Sequence, residues 1–159
     1  MSSARGTEHD IPDPVHSTAH LFGHPVHPMI MPFPLVFLIS AAVTDVVFVV
    51  ADNPFWADTS LWLLAAGLFT GVVAALAGLI DFVTIERARS HLSGWVHFIG
   101  NVIVLMLALG NWLPRIGDPQ GFVEPWGLVL SALTVVLLAV TGWTGGELAY
   151  RHQIGVMGH

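Results

Sequence analysis

The chain has 159 residues, of which 54% are hydrophobic and only 10% are charged, and its mean hydropathy is +0.72. This composition excludes an ordinary soluble domain and predicts an integral membrane protein. The net charge of −6, with no lysine, excludes a basic surface for nucleic acid, and the absence of cysteine excludes disulfides, thiolate nucleophiles, cysteine-ligated iron–sulfur clusters and c-type haem attachment.

Residues 1–28 predict a histidine-rich cytoplasmic or interfacial segment rather than a signal peptide, because they lack a continuous apolar core. Asp13-Pro14 is typical of a helix N-terminus, so residues 15–22 are predicted to form a short interfacial helix. His16 and His20 would then lie on one face of that helix. Their spacing suits a metal-binding pair, although two polar imidazoles also suit the headgroup region.

The segment His24-Pro25-Val26-His27-Pro28 leads into the first apolar stretch. Each histidine precedes a proline and is predicted to be extended, and polyproline geometry has three residues per turn. His24 and His27 are therefore predicted to project from the same side. A simple device for starting a helix is the alternative interpretation.

Four apolar stretches are each long enough for a helix that crosses a hydrocarbon core of ~30 Å. They predict an all-α integral membrane protein, a four-helix antiparallel bundle within residues 29–152, followed by a tail at 153–159. The predicted spans lie near residues 30–50, 61–83, 95–113 and 126–147. In the second span Gly67, Gly71 and Ala75 recur every four residues and predict a seam where two helices approach closely.

The arginine positions predict the orientation of the bundle. Four spans place both termini on one side of the membrane, and basic residues near helix ends favour the cytoplasmic side. The side of the termini holds Arg5, Arg87, Arg89 and Arg151, whereas the opposite side holds Arg115. The sequence therefore predicts cytoplasmic N- and C-termini.

Besides Glu147, which ends the last span, three ionisable residues lie within the predicted spans. Beside His97, Gly100 leaves room for a flat macrocycle or for a neighbouring helix. The alternative interpretation of His97 is a buried histidine hydrogen-bonded to a carbonyl. Asp81 lies near the cytoplasmic end of its helix, where it could orient a ligating histidine or pair with an arginine of that side. Asp45 has no basic residue predicted at its depth, so we expect it to be neutral or hydrogen-bonded inside the bundle.

The end of the last span also carries polar residues. Glu147 precedes Arg151 by four residues, which predicts a helical ion pair. Gly145 and Gly146 permit a close neighbour, which would bring Glu147 and His152 towards the other histidines. The predicted topology thus gathers eight ionisable residues at the cytoplasmic end of the bundle: His24, His27, Asp81, His91, His97, Glu147, Arg151 and His152.

Three motifs and His97 carry a resemblance that covers the chain from about residue 20 to its end. The motifs are Gly23-His24-Pro25-Val26-His27-Pro28-Met29 with Pro32-Phe33-Pro34, Ala77-Gly78-Leu79-Ile80-Asp81, and residues 142–152. They resemble the bacterial membrane proteins of domain-of-unknown-function family 2231. The resemblance implies a four-helix, multi-pass protein of the bacterial inner membrane. It also implies a role in membrane electron transfer, because the family is linked with redox modules that include Rieske-type iron–sulfur domains.

Two functional hypotheses of different classes follow. In the first, the bundle binds a b-type haem or a transition metal for electron transfer with a membrane or iron–sulfur partner, and His27 opposite His97 is the predicted ligand pair. The predicted cofactor site comprises His24, His27, His97, His152 and Arg151, of which Arg151 would bind a haem propionate. Asp81 and Glu147 would support the ligands. A metal ion would instead use His24, His27 and His97.

In the second hypothesis the chain is not an enzyme by itself but an accessory or scaffold subunit. It would dock a redox partner or sense pH through its histidines. No combination of nucleophile, base and oxyanion-stabilising group can be assembled from the sequence, which favours a non-catalytic role. In either case the lipid bilayer is a predicted partner and nucleic acid is not. The sequence is also compatible with a homo-oligomer.

Overall fold

The computed structural model describes residues 13–156, in which four long helices dominate and short strands cluster at one end. The strands are β1 (Val15–His16), β2 (His20–Leu21), β3 (His24–Pro25) and β4 (Ile154–Val156). The helices are α1 (Val26–Ile30), α2 (Pro32–Ala51), α3 (Pro54–Thr84), α4 (Glu86–Ser90), α5 (Leu92–Trp112) and α6 (Leu128–Gly146). A 3-10 turn at Leu113–Arg115 extends α5, and π-helical turns at Val123–Gly127 and Glu147–Arg151 flank α6.

The long helices confirm the predicted all-α architecture with four spans. The segments long and apolar enough to cross a membrane are Val26–Ala51, Pro54–Thr84, Leu92–Arg115 and Val123–Arg151. Each contains one predicted span and extends beyond it at both ends. The shortest has 24 residues, which at ~1.5 Å per residue exceeds a hydrocarbon core of ~30 Å, so the helices reach into the headgroup region.

The four long helices form a ring in which α2 lies beside α3, α3 beside α5, α5 beside α6, and α6 beside α2. The predicted small-residue seam lies at two of these contacts. A Cβ on Gly67 would lie 2.6 Å from the side chain of Leu38 in α2, and one on Gly71 would lie 2.8 Å from that of Leu105 in α5. Glycine therefore allows α3 to approach both of its neighbours closely.

The N-terminal segment forms strands instead of the predicted interfacial helix. β1 pairs in parallel with β4, and β2 pairs antiparallel with β3. The chain reverses at Phe22 and Gly23, whose φ values of 50° and 80° lie in the left-handed region, and this turn connects β2 to β3. The prediction of a helix over residues 15–22, with His16 and His20 on one face, is wrong.

We use the name cap for residues 13–25, 86–90 and 153–156, which cover one end of the bundle. The pairing of β1 with β4 brings both ends of the described chain to this end, as an even number of spans requires. Ile85, at the base of the cap, is buried together with Ala88 and Ile154. Predictions for residues 1–12, including Arg5, lie outside the described residues.

Asp81 fastens the cap to α3. Its carboxylate accepts hydrogen bonds from Ser17 Oγ at 2.7 Å and from the backbone N–H groups of Thr18 at 2.7 Å and Ala19 at 2.9 Å. Within residues 13–156 it forms no ion pair with an arginine and no hydrogen bond with a histidine. This corrects the predicted partners of Asp81, because donors from the cap already satisfy its charge.

Substituting Asp81→Ala is expected to loosen this part of the cap. Amide hydrogen exchange at Thr18 and Ala19 should accelerate at least tenfold, because both N–H groups lose their acceptor. Asp58→Ala, which removes an exposed carboxylate from the same helix, is the matched control and should leave both exchange rates unchanged. Equal rates in the two variants would show that Asp81 does not hold the cap.

Candidate functional site

A cavity of about 430 Å³ lies between the four long helices, directly beneath the cap. Its size is within the range of small-molecule sites, ~300–1,000 Å³. Apolar side chains form most of its wall, and the ionisable residues that line it are His27, Asp81 and His97. Such a cavity, apolar with a few convergent polar groups, is the expected form of a ligand site.

His27, in α1, is held against α3. Its Nδ1 lies 2.7 Å from the backbone oxygen of Ala74. A carbonyl oxygen can only accept a hydrogen bond, so Nδ1 carries the proton and Nε2 has a free lone pair. A Cβ on Gly78, one turn further along α3, would lie 2.8 Å from Nδ1, so the imidazole can reach the carbonyl only because this residue is glycine.

His97, in α5, is held against α6 in the same manner. Its Nδ1 lies 2.8 Å from the backbone oxygen of Thr141, which again assigns the proton to Nδ1 and the lone pair to Nε2. A Cβ on Gly145 would lie 2.7 Å from the Cε1 atom of this ring. Each histidine thus binds a carbonyl at position i of a neighbouring helix and packs against a glycine at i+4. Of the two alternatives for the space beside Gly100, the neighbouring helix is correct, because Thr141 occupies it.

The two imidazoles face the same space. Their ring centroids are 5.8 Å apart and the ring planes are at 83°. Two imidazoles that share one metal ion, at ~2.0–2.1 Å per metal–nitrogen bond, have centroids roughly 6 Å apart. In the described chain neither Nε2 has a hydrogen-bond partner. Since no buried side-chain nitrogen there lacks one, both Nε2 atoms are accessible, and both rings line the cavity. The arrangement can therefore offer two neutral nitrogen ligands to one occupant.

Four of the predicted site residues do not line the cavity: His24, Glu147, Arg151 and His152. His24 is exposed and its Nδ1 lies 3.1 Å from the backbone oxygen of Phe22. It does not project beside His27, because the chain turns from β3 into α1 between them. The expected polyproline geometry across both residues is wrong.

The predicted ion pair at the end of the last span is present. Arg151 Nη1 lies 3.2 Å from Glu147 Oε1, with 77% of the arginine side chain exposed. His152 stacks on His91, with ring centroids 3.9 Å apart and planes at 26°. Partial burial, together with the neighbouring His91, lowers the pKa of His152 below its ordinary value and so favours its neutral form.

A buried ion pair at the opposite end of the bundle was not foreseen from the sequence. Arg115 Nη1 lies 2.6 Å from Asp45 Oδ1 and Nη2 lies 2.9 Å from Asp45 Oδ2, and both side chains are 0% exposed. The expectation that Asp45 lacks a basic partner is therefore wrong. Arg115, expected in a loop, belongs to the 3-10 turn that ends α5 and points into the bundle. In an antiparallel bundle the first and third spans end on the same side. The sequence could therefore have predicted that Asp45 and Arg115 lie close together.

Side chains from all four long helices surround this ion pair, and we name the group the polar clasp. Ser60 and Ser131 each donate to Asp45 at 2.6 Å. Asn111 Oδ1 accepts from Arg115 Nε at 3.1 Å and from Nη2 at 2.7 Å. The five N–H groups of the guanidinium and both carboxylate oxygens are all engaged, so the polar clasp holds the helices together and has no free group for a ligand.

The fold and its cavity define a multi-pass membrane protein with four helices around a pair of histidines. The chain belongs to the family described as predicted membrane proteins of domain of unknown function 2231 (DUF2231), whose model matches residues 23–158. No curated protein and no solved structure matches the chain. The family match includes both cavity histidines and the residues that contact them.

Proposed function

We propose that the chain binds a b-type haem between His27 and His97 and takes part in electron transfer in the membrane. The observation that carries this proposal is the pairing of the two imidazoles. Each Nδ1–H is held by a carbonyl of a neighbouring helix, each Nε2 is left without a partner in the described chain, and both rings line one apolar cavity. A hydrogen bond at Nδ1 fixes the tautomer of a ligating histidine and raises its basicity.

The available donors fit haem iron better than a free metal ion. Haem iron can be held by two protein side chains, and His27 and His97 would supply imidazoles from two different helices with ring centroids 5.8 Å apart. Structural and catalytic zinc sites use three or four protein ligands. Residues 13–156 contain no group of three His, Cys, Asp or Glu side chains placed to hold a metal ion. Because His24 lies away from the cavity, we propose the haem rather than the three-histidine metal site.

Bound haem supplies one-electron redox chemistry, and the residues of the chain position it and shield it from water. His27 and His97 would both hold the haem iron, and a haem held by two imidazoles would favour electron transfer over the binding of a further ligand. The apolar wall keeps the surroundings of the site at low polarity, and wall polarity tunes the reduction potential.

Substituting either His27 or His97 should remove one of the two proposed ligands of the haem iron. Protein purified from membranes with haem available should show a Soret band with one haem per chain. In His27→Ala and His97→Ala we expect at least a tenfold loss of haem affinity, or conversion of the remaining haem to a high-spin spectrum. His24→Ala is the control, because His24 is exposed and lies outside the cavity. A wild-type protein that stays colourless with haem present would refute the proposal, and its co-purification with an oxidoreductase would favour the accessory-subunit hypothesis.

We also propose that the cap faces the cytoplasm at a bacterial inner membrane. Arg87, Arg89 and Arg151 lie at or next to the cap, whereas Arg115 is neutralised by Asp45 in the polar clasp. The excess of basic residues near helix ends is therefore at the cap, as the positive-inside rule requires of the cytoplasmic side. A redox partner, such as the iron–sulfur proteins that the resemblance implies, would meet the chain there. A cysteine at the exposed Glu86 should be labelled from the cytoplasmic side alone.

A further inference from the structure

The cavity is closed at both ends along the axis of the bundle. Towards the aqueous phase, the buried residues Ile85, Ala88 and Ile154 fill the base of the cap, and Asp81 binds the cap above them. Towards the middle of the bundle lies a buried apolar core, with only a small void of about 30 Å³ between it and His27: Leu38, Ala41, Leu64, Val104, Ala108 and Leu138. An occupant larger than water therefore cannot enter along the axis without unfolding one of these layers.

Five residues that line the cavity are also exposed: Pro28, Pro32, Leu35, Val102 and Gly142. Leu35 on α2 and Gly142 on α6 both line the cavity, and both are also exposed on the outer surface of the bundle. A Cβ on Gly142 would have no atom within 4 Å, so no neighbouring side chain fills the space beside it. The short helix α1 packs against α3. These residues border an open crevice.

The crevice lies at the depth of the hydrocarbon core. Leu35 is about 14 Å along the first span from Val26, and Gly142 is about 14 Å along the last span from Arg151. Both therefore face acyl chains rather than water in a core of ~30 Å. A molecule that reaches the two histidines through this crevice must first dissolve in the bilayer.

We infer that the crevice between α2 and α6 is the entrance to the cavity, and that it admits its occupant sideways from the lipid. The inference rests on the proposed function, in which that occupant is haem. Haem suits this route, since its macrocycle is flat and apolar and its two carboxylates can remain at the headgroup level. Glycine at position 142 keeps the entrance clear, which explains a helical glycine that touches no neighbour.

Chemical modification tests the entrance without altering how the chain folds. The chain contains no cysteine, so Gly142→Cys introduces a single thiol at the crevice. The folded, haem-free protein in phosphatidylcholine vesicles is alkylated with N-benzylmaleimide, and uptake of haemin from a second vesicle population is followed at the Soret band. Gly110→Cys is the matched control, because Gly110 is an exposed helical glycine of α5 with no atom within 4 Å of a Cβ.

Alkylation at position 142 should slow haemin uptake at least tenfold, whereas alkylation at position 110 should leave the rate unchanged. Alkylation of haem-loaded Gly142→Cys should likewise slow the release of haem to a soluble haem-binding protein. Equal uptake rates for the two adducts would overturn the lateral entrance while leaving haem binding intact. No uptake by the unmodified and wild-type proteins would instead overturn the proposed function, so the two failures are distinguishable.

Discussion

Arg115→Met is expected to destabilise the protein by about 3–5 kcal/mol, because it leaves the carboxylate of Asp45 buried without its counter-charge. Asp45 is 0% exposed, and no other basic side chain within residues 13–156 pairs with it. The loss should appear as a lower free energy of unfolding when the protein is titrated with sodium dodecyl sulfate in mixed micelles. Asn111 would also lose the donors that Arg115 provides.

Two further variants separate charge burial from a general packing defect. The double variant Asp45→Leu with Arg115→Met should recover at least half of the lost stability, because it leaves no unpaired buried charge. Arg151→Met makes the same substitution in an exposed ion pair and should cost less than about 0.5 kcal/mol. If Arg115→Met proves as stable as Arg151→Met, the polar clasp does not hold the bundle together.

Gly145→Ala is expected to abolish the geometry of the site while leaving the bundle folded. The added methyl group would lie 2.7 Å from Cε1 of His97, so the ring must rotate and lose its hydrogen bond to the Thr141 oxygen. Replacement of a helical glycine by alanine otherwise favours the helix, by up to ~1 kcal/mol. We therefore expect unchanged or higher stability together with at least tenfold weaker haem binding.

Gly146→Ala is the matched control, since its Cβ would approach no atom closer than 3.9 Å, in the ring of Tyr150. Imidazole ¹⁵N NMR spectra of the haem-free protein provide a second measurement. The Nδ1–H tautomer of His97 should persist in Gly146→Ala and be lost in Gly145→Ala. Haem affinity that falls equally in both variants would mean that the glycine at position 145 has no special role beside His97.

Part of the site was accessible to sequence reasoning. His27 and His97 were the predicted ligand pair, and the structure places both on one cavity with their centroids 5.8 Å apart. Their position at helix ends followed from the span boundaries, and the small residues nearby indicated close helix contacts. By contrast, His24 and His152 were included because they are close to the site in sequence or topology. The direction of each side chain excludes them, and span boundaries do not specify that direction.

Local sequence patterns did not predict the partners of the two buried or half-buried carboxylates, Asp81 and Asp45. Asp81 was expected to pair with an arginine or to orient a histidine, but it binds Ser17, Thr18 and Ala19, which are more than 60 residues away in the chain. Asp45 was expected to have no basic partner, but Arg115, 70 residues away, reaches it. The partner of Asp45 depends on how far α5 extends and where its end turns, and the partners of Asp81 depend on how the N-terminal strands cover the bundle. The predicted span limits specify neither.

The sequence by itself determined that the helices of this protein lie in lipid, how many long helices there are and which chemical groups are available to a ligand. Hydropathy and span length depend on local composition. A chain in lipid must also form its backbone hydrogen bonds within each helix. Only the tertiary structure decided which groups meet. The oxygens of Ala74 and Thr141 that orient the two histidines lie 47 and 44 residues away from them. Such contacts depend on the rotation and tilt of each helix against its neighbours, which side-chain packing sets across the whole bundle.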